Sequence, residues 1–162
     1  MQPRSCLALA GALLAFSLVA GHDAAADTTP IDAAARAISG NWLTEPKDGI
    51  IQLAISADGE LTGRIVGGNA PTRTDTHNPD ASRRSQLLRG QVILRDMHYD
   101  GDGQWSGGTI YDPDSGKTYR CRITVTGAGT IKVRGFIGIS LFGRSQTWTR
   151  YTATSLDLPA TK

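Results

Sequence analysis

Between Thr118 and Val125 the side chains alternate, with Tyr119, Cys121, Ile123 and Val125 on one face and Thr118, Arg120, Arg122 and Thr124 on the other. A period of two predicts a β-strand buried on one side and wetted on the other. Ile51, Leu53 and Ile55 alternate with Gln52, Ala54 and Ser56 in the same way. Asn41–Thr44, Leu61–Val66, Leu87–Tyr99, Gln104–Tyr111, Thr130–Ile137 and Gln146–Tyr151 complete a set of short segments rich in Ile, Val, Thr and aromatic residues. Tight turns separate most of them. Ala57-Asp58-Gly59-Glu60, Asp100-Gly101-Asp102-Gly103 and Thr126-Gly127-Ala128-Gly129 all carry the residues that tolerate positive φ in hairpins. Gly67–Arg84 has no periodicity and is the one long irregular connection. The expected fold is all-β, an antiparallel up-and-down sheet of eight strands. Such a sheet has two edges to hide, and closing it into a barrel removes both. A two-sheet sandwich is the rival arrangement that the pattern leaves open.

The first residues depart from this pattern. Arg4 precedes the uncharged apolar run Leu7–Ala20, and Ala24, Ala25 and Ala26 supply the small residues of a cleavage site. These three parts predict a secretory signal over residues 1–26 and an exported product, periplasmic or secreted. The run is too short for a membrane span, so none is expected after cleavage. Residues 27–38 read as a linker with a short helix over Ile31–Ile38, with Asp32 as its cap. Residues 39–151 form one domain, and 152–162 a loose polar tail.

Charge and cysteine content narrow the chemistry. Seventeen basic against fifteen acidic residues give a net charge of +2. No run of like charge points to nucleic acid. Beyond the signal Cys121 is the single cysteine, so an internal disulfide is excluded.

Two stretches invite a functional reading. Tyr111–Arg120, YDPDSGKTYR, resembles both a calcium loop and the end of a phosphate loop. It fails as the first because Lys117 and Ile123 stand where glycine and glutamate are required. It fails as the second because Tyr111 replaces a glycine and Thr118 opens a strand instead of a helix. A turn built on Asp112, Pro113 and Gly116 accounts for the same residues. The second stretch, Thr74–Arg84, gathers Asp75, His77, Asn78, Asp80 and Arg83 on the long loop. Long loops often bind ligands, so these five are the candidate ligand contacts. The plainer alternative is a solvated loop in which Asn78 and Asp80 turn the chain around Pro79. His77 with its flanking acids lacks zinc spacing, and no metal or cofactor is expected. Cys121 lies on an apolar face and no serine has a nucleophile-elbow context, so no catalytic residues are assigned and an enzyme is not expected.

The chain ends carry a further signal. Gly40-Asn41-Trp42 opens the sheet, and Trp148-Thr149-Arg150 closes it. In a closed barrel these strands are neighbours, and the Arg150 guanidinium can lie on the Trp42 ring. The Gly-x-Trp placement and the late arginine resemble the lipocalin pattern.

Taken in order, GNWLT, DTHNPD, GGTIYDPDSGKTYRCRITV, KVRGFIG and LFGRSQTWTR resemble a bacterial secreted family catalogued as domain of unknown function 2147. That resemblance implies a lipocalin-like barrel, an exported protein and no settled activity. It implies structural roles for Gly40, Trp42, Trp148 and Arg150, and it places Asp75, Asn78 and Pro79 in a family loop motif without a role. The functional expectation is a barrel binding a small apolar or amphipathic ligand, with no nucleic acid partner and the protein partner unknown. The alternative is an envelope interaction or structural protein whose barrel is filled by its own side chains.

Overall fold

The computed structural model describes residues 36–138 and 143–152. The expected signal segment, the linker, most of the expected helix and most of the tail lie outside these residues. The helix expected over Ile31–Ile38 is not supported: Arg36–Ile38 forms one turn, in which Ser39 N–H donates to Arg36 C=O at 3.1 Å.

Nine strand segments follow: β1 Gly40–Leu43, β2 Gly49–Ile55, β3 Leu61–Gly68, β4 Val92–Gly101, β5 Gln104–Ser106, β6 Thr109–Asp112, β7 Lys117–Gly127, β8 Thr130–Phe136 and β9 Gly143–Arg150. All pairings are antiparallel. β5 and β6 are two halves of one strand, because both lie between β4 and β7. β3 pairs with β4, and β9 returns to β1 with Trp42 opposite Arg150. The result is a closed eight-stranded barrel with no open edge, and the sandwich is excluded.

The break between β5 and β6 falls at Gly107-Gly108, inside what alternation alone reads as one continuous strand. A Cβ on Gly108 would sit 2.1 Å from Arg95 C=O, so only glycine lets the two backbones approach this closely. Two other strands start three residues or more from the expected position, and the remaining boundaries move by one or two. β4 starts at Val92 and not at Leu87, after Gly90 turns the chain at φ +94°. β9 starts at Gly143, three residues before Gln146.

The two ends of the barrel differ. Short turns at 56–60, 101–103 and 127–130 close one end, beneath which lie Trp42, Leu61, Met97, Trp105, Ile123 and Ile131, each at most 1% exposed. That half is filled by its own side chains. The connections 44–48, 69–91 and 113–116 lie at the other end, where β8 stops and β9 starts, and among the described residues that end is open.

At the closed end Arg150 spans from the last strand to the first. Its guanidinium carbon lies 4.0 Å from the Trp42 ring centroid, and it donates to Ser39 C=O at 2.8 Å and to Ala37 C=O. Trp42 Nε1–H donates to Ile38 C=O at 2.7 Å. Residues 37–39 are therefore sealed onto the barrel base by hydrogen bonds that satisfy the indole and use both terminal nitrogens of the guanidinium. Burial holds the Arg150 guanidinium below its ordinary pKa, which fits a cation partly withdrawn from water.

Candidate functional site at the open end

Alternation along β2, β3 and β9 turns Ile51, Ile65 and Trp148 into the upper half of the barrel, and a register shift between Val92 and Leu94 in β4 brings Ile93 to join them. They form the apolar part of a cavity of about 210 Å³ whose opening carries Asp48, Arg73, Arg89, Asp112 and Asp114. A wider hollow of about 550 Å³ lies beside it, with Ile110, Tyr119, Val133 and Phe136 in its wall and Arg144 at its margin. Both hollows have Pro46, Asp48, Asp112, Asp114 and Gln146 in their walls. Gly135 helps open this space: it stands inside the wall where a side chain would fill the gap toward Tyr119 and Ile110. Trp148 marks the boundary with the filled half. Its Nε1–H donates to Gln146 Oε1 at 2.8 Å, so the indole is tied to a residue of the cavity wall.

The long loop is more ordered than its composition predicts. Thr74 bridges Leu87, Asp75 N–H donates to Gln86 C=O at 2.9 Å, and Leu88 N–H donates to Arg73 C=O at 2.9 Å. Asp80 caps a single 3₁₀ turn, Ala81–Arg83, by accepting from Ser82 N at 2.9 Å and Ser82 Oγ at 2.7 Å. The Ser82 hydrogen bonds, with a smaller contribution from the Arg83 and Arg84 charges, hold the Asp80 carboxyl below its ordinary pKa.

The structure separates the five candidate ligand contacts of this loop. Asp75 is fully buried and Asn78 nearly so. Asp75 accepts from Tyr111 Oη at 2.6 Å and from Asn78 Nδ2 at 2.6 Å, and Asn78 C=O accepts from Arg84 Nε at 2.8 Å. These two side chains clamp the loop to β6 and are occupied in doing so. His77, Asp80 and Arg83 face solvent. Tyr111 is pushed up to a pKa of about 12, by desolvation first and then by its bond to the Asp75 carboxylate.

The loop also docks on the Tyr111–Arg120 corner. Asp112 caps that turn, accepting from Asp114 N–H at 3.0 Å and Ser115 Oγ at 2.7 Å, and Gly116 takes φ +67°. A Cβ on Gly116 would lie 1.9 Å from His77 C=O, so the bare glycine lets the loop come down. Arg73 forms an ion pair with Asp114 across the same contact. The corner is thus a turn, and one that carries the loop. Among the described residues no group of three His, Cys, Asp or Glu side chains is placed to hold a metal, and no helix is long and apolar enough to cross a membrane.

Several residues of this end escape a reading of the sequence. Arg73, Asp48 and Asp114 come from three different connections, and Gln146 from β9, with no shared motif. The alternating signal in β9 does place Gln146 and Trp148 on one face, which was a usable clue.

Comparison with known proteins agrees with this architecture. Residues 40–150 match the family described as "Uncharacterized protein conserved in bacteria (DUF2147)". The chain belongs to this family. The matched span runs from the first residue of β1 to the last of β9. Among solved structures, protein HP1028 from Helicobacter pylori, described as belonging to the lipocalin family, is similar with a TM-score of 0.63. The identity is 20%, over 70% of this chain and 82% of that one, a likeness of fold. No match was found among curated proteins.

Proposed function

We propose that this family member binds a small amphipathic molecule at the open end of its barrel and releases it chemically unchanged. The observation that carries the reading is the division of the interior. The closed half is packed, while the open half keeps an apolar floor at Ile51, Ile93 and Trp148 beneath a charged opening. An apolar chain entering there removes itself from water, and a polar head stays among Asp48, Arg73, Arg89 and Asp112. The wider hollow of about 550 Å³ is within the range of small-molecule sites. The packed lower half limits depth, so the ligand is short or enters with one end only. The signal-like N-terminus supports an exported protein, periplasmic or secreted, which meets its ligand in the cell envelope.

Native mass spectrometry of protein purified from its own cells tests this, together with a titration series of linear fatty acids. Each added methylene tightens binding by about fourfold, from ~0.8 kcal/mol of burial, until the hollow is full. No co-purifying mass and no chain-length dependence would remove the reading. The filled lower half favours a second reading, a structural or interaction protein of the envelope. In-cell cross-linking that captures a partner at the open-end loops, with no small ligand, would replace the first reading with this one.

A further inference from the structure

The outer wall of the barrel holds a second, chemically different hollow. Loop residues 78–83 stand away from the outer faces of β3, β4, β6 and β7 and leave a groove of about 390 Å³. Three arginines enter it from three elements: Arg64 on β3, Arg95 on β4 and Arg83 on the 3₁₀ turn. Gln91 and Thr118 add an amide and a hydroxyl, Asn78 and Pro79 stand in the loop wall, and the lining contains no carboxylate. The strand register builds this wall. Arg64 lies opposite Val92, and Arg95 lies opposite Thr109, which in turn faces Arg120 on β7. Arginines separated along the chain by alternation are thereby gathered on one surface, so no run of charge announces them.

None of the three is held in an ion pair among the described residues. Arg64 donates one N–H to Gly90 C=O, and the ion pair among the described residues, Arg73–Asp114, lies elsewhere. Asp80, the nearby carboxylate on the loop, already accepts both Ser82 donors on one oxygen and makes no ion pair with Arg83. Like charges brought together without partners destabilise a fold, and here they line a recess instead of dispersing into solvent. The recess is also preformed. The buried Asp75 clamp on Tyr111 and Asn78 fixes the loop wall, and the sheet fixes the other.

We propose that this groove is an oxyanion site that takes a phosphate-bearing group. A guanidinium offers a planar fork of donors matched to two phosphate oxygens, and three such forks suit a doubly charged or larger phosphate. The groove is too polar for the ligand of the barrel mouth, and it stands independently of that reading. The phosphate belongs either to a soluble molecule or to a lipid headgroup, and the chemistry of recognition is the same.

The purified protein titrated with inorganic pyrophosphate, followed by amide NMR, tests it. Saturable shifts at Arg83, Arg95 and Thr118 are expected. Arg83→Gln and Arg95→Gln, both exposed positions outside the core, each weaken binding by about tenfold or more, the usual loss for a charge-assisted hydrogen bond. Lys132→Gln, which removes an exposed cation on β8 outside the groove, leaves the affinity unchanged. Phosphatidylcholine vesicles with and without phosphatidate separate the sources. Competition with pyrophosphate that disappears in both variants assigns the phosphate to a headgroup, and vesicles that leave pyrophosphate binding untouched assign it to a soluble ligand. Shifts that rise linearly without saturation, or variants that bind pyrophosphate like the parent, would overturn the site. Vesicle binding that survives both substitutions without saturable pyrophosphate uptake would do the same.

Discussion

Tyr111→Phe removes one atom from the junction that holds the long loop to the barrel. The lost contact is a 2.6 Å hydrogen bond to a fully buried carboxylate, leaving Asp75 with Asn78 as its side-chain partner. A hydrogen bond to a charged group contributes about 1.5–3 kcal/mol, and here the abandoned acceptor stays out of water. The expected loss is therefore about 2 kcal/mol, or a Tm lower by roughly 8 °C for a domain of this size. Part of that loss can appear as local opening of the loop instead of global unfolding. Two assays are needed for that reason. Urea unfolding reads the global term, and hydrogen exchange at the amides of Asp75, Asn78 and Leu88 reads the local one, because each donates inside the clamped segment. Asp75→Ala and the double variant complete a cycle whose coupling is at least about 1 kcal/mol if the pair interacts directly. A Tyr111→Phe protein within about 0.5 kcal/mol of the parent, with those three amides equally protected, would refute the clamp.

Other consequences can be checked alongside. Arg150→Met keeps the length of the side chain but loses the stack on Trp42 and the bonds to Ser39 and Ala37. Urea midpoints are expected to fall by an amount equivalent to about 2–3 kcal/mol, and Arg150→Lys is expected to recover part of it. Gly116→Ala strains a positive φ and drives a methyl group into His77 C=O, so proteolysis within 76–86 should quicken while barrel hydrogen exchange holds. Burial pushes the Cys121 thiol up to about 12. The raised value means that its contribution to stability is complete below the unfolded thiol's pKa near 9 and is lost as pH rises through about 12. A thiol reagent at pH 8 should therefore label Cys121 only at the rate of unfolding, and rapid native labelling would contradict its burial.

The barrel was legible because its strands alternate cleanly and its turns carry the residues that hairpins require. Thr118–Val125 places Cys121 and Ile123 inside and Arg120 and Arg122 outside, as a period of two demands. The closure of β1 on β9 followed from the need to hide two sheet edges. What the pattern could not carry was contact between distant segments. The Asp75–Tyr111 bond joins residues 36 apart, and an aspartate on a polar loop gives no local sign that it will be buried. The break at Gly107-Gly108 was hidden for a different reason: glycine is neutral to alternation, and the close approach of Arg95 C=O is fixed by the neighbouring strand. Arg64 and Arg95 belong to no motif and Arg83 stands out only as one candidate contact of the long loop, because their convergence depends on register and on the path of the loop. The loop was read as a set of candidate contacts, and the structure turns two of its polar side chains inward as fasteners.

The division of the barrel interior can be read from its three tryptophans, which occupy different places in it. Trp42 and Trp105 lie in the packed half, and Trp148 borders the open cavity through its bond to Gln146. Indole proton–nitrogen spectra during titration with decanoate therefore test the ligand reading directly. A saturable shift of the Trp148 indole is expected, with those of Trp42 and Trp105 left in place. A titration in which Trp148 does not move, or in which all three indoles move together, would contradict it.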